Sequence, residues 1–248
     1  MRFLRIIFWG GLIVGGALFF YNRSNVDFDF DEKEYEEVEM ASTNWSDLRG
    51  FDRVDLKGGY KVVIHPGADS YVEAEGPEEA LQHLKAHMEG GELHVKMEEQ
   101  WFKRFNEKIT LHIYADELSS IDVSGAVDMR SETVLKGESL DIDVSGAGKI
   151  NLNVEVNELD AEISGAGQYI MAGTARKASF ETSGAGEVKA FDLVCESVEV
   201  EISGAGSAQV HATQKLKTQI SGAGSVVYDG DPSEIDQRVS GAGSVRKR

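Results

Sequence analysis

Five acidic residues recur two positions before a repeated serine: Asp122, Asp143, Glu162, Glu181 and Glu201. Carboxylates at a fixed interval can hold divalent cations, or can work in pairs as the acid and base of glycoside hydrolysis. His83 and His87 lie four apart and could offer two imidazoles from one helix to a metal. Cys195 is the single cysteine and would need a neighbouring base to act as a nucleophile. No histidine lies near it in sequence, and Phe191-Asp-Leu-Val-Cys195 reads as a packed strand. The histidines lack a third ligand and an orienting partner in sequence, so a solvated surface pair is the plainer reading.

The serine in question opens a tetrapeptide. Ser-Gly-Ala-Gly starts at Ser145, Ser164, Ser183, Ser203, Ser221 and Ser240, and Ser-Gly-Ala-Val starts at Ser124. The intervals of 21, 19, 19, 20, 18 and 19 residues are those of a solenoid. Before each serine, positions −1, −3 and −5 are mostly apolar, as in Ile163, Ala161 and Leu159, and those between are polar. Alternation resumes after the tetrapeptide at +5 and +7, as in Tyr169 and Met171. Period two means strands with one buried face. Each repeat therefore reads as strand, small-residue corner, strand and return. The expected fold is all-β: a parallel β-helix with rungs of about 19 residues and one short helix in its N-terminal part. Corner glycines Gly125, Gly146, Gly165, Gly184, Gly204, Gly222 and Gly241 are expected to supply positive φ and close backbone stacking. A phosphate loop is excluded, since no helix pattern follows the motif and no Lys-Ser/Thr closes it.

In such a fold the five acids form an outward column spaced by about 4.8 Å, followed by Gln219 and Arg238. Neighbouring charges at that spacing repel by about 0.9 kcal/mol per pair in water. A solvated face is the preferred reading, because stacked carboxylates without fixed geometry bind cations weakly. A site for divalent cations or a cationic partner is the sharper one. No catalytic residue and no cofactor site is assigned.

The chain has 248 residues and a formal net charge of −18, which argues against nucleic acid as a partner. Arg2 and Arg5 precede an uncharged, mostly apolar run over residues 6–21 with bulky residues where a signal cleavage site needs small ones. The expectation is a signal anchor over residues 1–24, single-pass in a bacterial inner membrane, with the body in the periplasm or outside the cell. Residues 25–41 are an acidic linker. Residues 42–248 are the β-helix, with regular rungs from 119. Residues 77–88 read as a helix, with Pro77 in its first turn, Leu81, Leu84 and Met88 on one face, and Gly90-Gly91 as the stop.

Phe51-Asp-Arg-Val-Asp55, Tyr60-Lys-Val-Val-Ile64, Glu92-Leu-His-Val95 and Leu118-Ser-Ser-Ile121 lead in order into Asp122-Val-Ser-Gly-Ala126 and the tetrapeptide repeats. Over roughly residues 45–245 this order resembles the head GIN domain family, described as auto-transporter adhesin heads. The resemblance implies a right-handed β-helix in an exported bacterial envelope protein and brings no catalytic residues. The chain departs from lipoprotein relatives in having no lipid-attachment cysteine after its apolar run. The function expected is a non-catalytic adhesion or scaffolding surface for an envelope glycan or protein, with the oligomeric state open. Two alternatives stand beside it: a polysaccharide-active enzyme, and a polymer growing rung on rung. No long insertion interrupts the repeats to wall a cleft, which counts against the enzyme. The charged ending Arg246-Lys-Arg248 counts against the polymer.

Overall fold

A computed structural model describes residues 40–98, 100–101 and 109–248. The described residues are nearly all β, with a short helix between the third and fourth strands. Its elements are β1 (Met40–Arg49), β2 (Arg53–His65), β3 (Tyr71–Pro77), α1 (Glu78–Gln82), β4 (Leu84–Glu89), β5 (Glu92–Met97) and β6 (Ile109–Tyr114). There follow β7 (Ser120–Gly184), β8 (Glu187–Gly204), β9 (Ser207–Gly222), β10 (Ser225–Asp229), β11 (Glu234–Gly241) and β12 (Ser244–Lys247). All strands belong to one sheet.

Two parallel ladders organise it, and β2 contributes to both. Its first part lies between β5 and β7, with Arg53 opposite Glu92 and Ser120. Its second part lies between β6 and β7, with Tyr60 opposite Ile109 and Val127. Later repeats stack in the same register: Gly184 on Gly204, Gly204 on Gly222, Gly222 on Gly241. Antiparallel strands extend the N-terminal end, β4 on β5, and β3 then β1 on β6.

The period-two columns decide what is buried. Val123, Val144, Ile163, Thr182, Ile202 and Ile220 are all buried at position −1, and Ile121, Ile142, Ala161, Phe180, Val200 and Thr218 at position −3. The columns open at the last repeat, where Ile235 and Val239 are 44% and 45% exposed because no further strand among the described residues covers them. There Lys247 pairs with Asp231, and Arg248 reaches Asp229 at 3.2 Å and lies 4.7 Å over the Phe191 ring.

The seven corner glycines have φ between 116° and 139°. Gly165 shows why the position is closed to a side chain: at φ 134° an added methyl would lie 2.2 Å from the Gly146 carbonyl oxygen. Sequence reading missed an eighth corner, Gly58, which sits in register with Gly125 inside the unbroken strand β2. The second glycine of the motif has another role. It faces inward and clears space for a neighbouring side chain: a methyl on Gly186 would meet Thr182 Cγ2 at 2.5 Å. Val127 occupies this place in the variant repeat, buried and in register with Tyr60.

Three expectations are corrected. The helix expected over 77–88 ends at Gln82, and Leu84–Glu89 is strand β4. Gly90 and Gly91, with φ 58° and 85°, turn the chain into β5 instead of stopping a helix. Ladder bonds to β5 override the helical spacing of Leu81, Leu84 and Met88, of which Leu84 and Met88 fit alternation equally well. β1 begins at Met40, inside the stretch expected as linker, and packs Ala41, Trp45 and Leu48 on the core. The single-pass inner-membrane placement is the third. No helix among the described residues is long and apolar enough to cross a membrane; α1 has five residues where a span needs about 20. The apolar run 6–21 and the acidic stretch 25–39 lie outside the described residues.

Candidate functional site

The outward side of the first ladder carries the acidic column, because every second residue of a strand faces away from the core. Asp55 pairs in register with Asp122, Glu181 with Glu201, Glu201 with Gln219, and Gln219 with Arg238. Asp143 and Glu162 lie between, exposed. At the ends of the column the carboxylates accept hydrogen bonds. Ser120 Oγ donates to Asp122 Oδ2 at 2.8 Å, and Gln219 Nε2 donates to Glu201 Oε1 at 2.9 Å. Lys217 pairs with Glu199 in the adjacent column.

The middle is not relieved in this way. Burial, and then the charges of neighbouring acids, raise the carboxyl pKa of Asp143 and Glu162, and of Asp141 in the adjacent column, above the ordinary 3.8, 4.5 and 3.8. Burial and the same acids raise the phenol of Tyr169, which donates to the Glu162 carbonyl at 2.6 Å.

A raised carboxylate penalises the folded state wherever it is charged. The penalty is complete above the folded pKa and fades as pH falls through that value, vanishing below the unfolded one. The triple variant Asp141→Asn, Asp143→Asn, Glu162→Gln is therefore expected to melt a few degrees higher than the parent at neutral pH and low salt. The gain should shrink below about pH 4 and in about 1 M salt. Thermal melts across pH check this, and an unchanged melting temperature at neutral pH would dissolve these acids as a coupled unit.

The other expected chemistry is placed as follows. Cys195 is buried with its thiol pushed up to about 12 by burial, so it packs the interior and offers no thiolate. His83 and His87 do not share a helix face. His83 follows α1, stacks on Trp101 at 4.1 Å and meets Glu98 at 3.3 Å. His87 is on β4, opposite His94 of β5. Among the described residues, the three ligand groups that come within 4.8 Å of one another are His87, Glu89 and His94, and none comes from the acidic column.

Sequence reading also missed an outward row on the second ladder. β1, β3, β6 and β2 align Arg49, Tyr71, Tyr114 and His65 side by side. The Tyr71 and Tyr114 rings stack at 4.2 Å and 4°, His65 stacks on Tyr114 at 4.8 Å, and the Arg49 guanidinium lies 5.1 Å over Tyr71. His65 Nε2 meets His112 Nδ1 at 2.9 Å, and His65 Nδ1 meets Glu132 at 3.0 Å. These side chains are half-buried, or exposed at Arg49 and Glu132. They form a polar-edged stack fixed by four strands, in which each tyrosine has both ring faces covered by its neighbours. The signal was the shared alternation of Tyr71-Val72-Glu73 and His112-Ile113-Tyr114, which only the antiparallel register unites.

Three crystal structures share the fold. A "putative adhesin" from Bacteroides fragilis is 21% identical, with 84% of this chain and 97% of that chain aligned at TM-score 0.79. One from Parabacteroides distasonis is 18% identical, over 86% and 98%, at TM-score 0.64. A "putative lipid binding protein" from the same species is 22% identical, over 85% and 96%, at TM-score 0.53. No curated protein matches the sequence. Residues 50–232 match the sequence profile described as "Putative auto-transporter adhesin, head GIN domain", and the chain belongs to that family.

Proposed function

We propose that the chain is a non-catalytic adhesion module, built as a right-handed parallel β-helix whose outward rows form its working surface. In-register parallel ladders at intervals of 18–21 residues support the β-helix. The family and the adhesin relatives support adhesion. The observation that carries the reading is the row Arg49, Tyr71, Tyr114 and His65. The ring faces are taken up within the row, so it offers ring edges, phenol hydroxyls, a cation at one end and a carboxylate at the rim, a set that suits hydrogen bonding to the hydroxyls of a glycan. Four strands hold the stack in place, so little ordering cost is incurred on binding.

The test is binding of the full chain to immobilised glycans, comparing the parent with Tyr71→Ala. A bound glycan is expected to be held at least tenfold more weakly by the variant, whose circular dichroism should stay that of the parent. Equal binding by both would remove the stack from the reading. Release of sugar from a bound glycan by the parent would favour a polysaccharide-active enzyme instead.

A further inference from the structure

We propose that the β4–β5 hairpin is a binding site for a divalent transition-metal ion of the zinc class, with His87, Glu89 and His94 as ligands. The hairpin places His87 opposite His94 and Glu89 opposite Glu92. Residues two apart on one strand share a face, so these four side chains form a two-by-two array. The ligand atoms of His87, Glu89 and His94 already lie within 4.8 Å of one another. The two imidazole rings are 4.9 Å apart and 20° from parallel.

His94 is prepared for this role by its other nitrogen. Its Nδ1 is 2.9 Å from Oδ2 of Asp55 on the neighbouring strand β2. Asp55 is 8% exposed and also accepts from Lys57 at 2.6 Å. An anionic Asp55 fixes the proton on His94 Nδ1, which leaves the Nε2 lone pair directed at the hairpin face. That nitrogen is buried and makes no hydrogen bond, with Glu92 Oε2 at 3.5 Å, outside bonding geometry. A carboxylate that orients a histidine and raises its basicity is the usual support of a metal ligand. An unpartnered buried lone pair beside a second carboxylate is otherwise unfavourable.

The donor set selects the ion class. Two imidazoles and a carboxylate suit zinc and its neighbours, whereas calcium and magnesium take oxygen donors. A tetrahedral ion needs ligand atoms closer than 4.8 Å, and His87 and Glu89 are exposed, so rotamer changes supply the approach. Glu92 or water completes the shell. The other histidine pair is spent differently, since His65 and His112 face each other through a 2.9 Å contact. Because β4 is the outer strand of its ladder, the ion would clip that edge to the body.

The test titrates chelator-stripped full chain with zinc against a chromogenic competitor, with thermal melts as a second readout. One ion per chain is expected, with a zinc-dependent rise in melting temperature. His87→Ala, at an exposed position, should weaken binding more than tenfold and abolish the rise. Asp55→Asn should keep the one-ion stoichiometry and weaken affinity about 10–100-fold, as loss of a positioning carboxylate does. His83→Ala and His112→Ala should bind as the parent does. Zinc bound equally by the parent and by His87→Ala, or no zinc bound by the parent at about 100 μM, roughly the weak end expected of an incomplete shell, would overturn the site.

Discussion

Gly165→Val is expected to destabilise the protein by roughly 3–5 kcal/mol, a large part of the stability of an ordinary domain. Two separate costs add. The φ of 134° is strained for any residue with a side chain and costs about 1–3 kcal/mol. The new Cβ would lie 2.2 Å from the Gly146 carbonyl oxygen and 3.2 Å from its carbon. Relief requires moving one corner away from the next, which overpacks or breaks the ladder for a similar amount. Lys189→Ala, which removes a half-exposed partner of Glu187 at 3.2 Å, should change stability by less than about 1 kcal/mol. Urea denaturation of both variants checks the contrast. Equal, small effects would mean that the corners do not carry the stacking.

Phe180→Ala is expected to cost about 3–5 kcal/mol, at the upper end for its type. Phe180 is 1% exposed and lies in the column whose flanking repeats hold Ala161 and Val200. The large ring fills space that its small neighbour leaves open. A helical core could close part of the gap by sliding. Here strand spacing is fixed by ladder hydrogen bonds, so the cavity persists. Phe180→Leu should recover more than half of the loss, because most of the volume returns. A cost below about 1 kcal/mol for the alanine variant would show that the interior can collapse around the site.

The repeating half of the fold was legible because alternation has a single solution when one face is buried. Ile163, Ala161 and Leu159 point inward for the reason given by their spacing, and the same holds for repeat after repeat. The N-terminal part was harder to read, since its order comes from pairing distant segments. Leu84-Lys-Ala-His-Met-Glu89 alternates as well as it spirals, and only β5 decides between the two. A signal was present: Gly90-Gly91 stands between two alternating runs, and a two-residue turn there pairs His87 with His94 and Glu89 with Glu92. Gly58 reads from sequence only as part of a Gly58-Gly59 join between two strands, because it lacks the tetrapeptide that marks the other corners. The aromatic row could not be seen from spacing, because Arg49, Tyr71, Tyr114 and His65 come from four strands joined in an order unlike that of the chain.

The opening of the columns at Ile235 and Val239 has a mechanical consequence. The sheet order begins at β1 and finishes beyond β9, with β11 and β12 on its last strands, so the two ends of the described chain sit at opposite margins of the ladder. Tension between those margins loads the inter-strand bonds along their own direction, one row after another, and not many rows in shear together. The terminal strands, with the least covered side chains, yield first, and each released repeat of 19 residues adds about 65 Å of slack. Most contacts of a row are with the rows beside it, so the remaining rows stand while one is open. Under a pull, the molecule lengthens in steps and closes again row by row, as a compliant tether does.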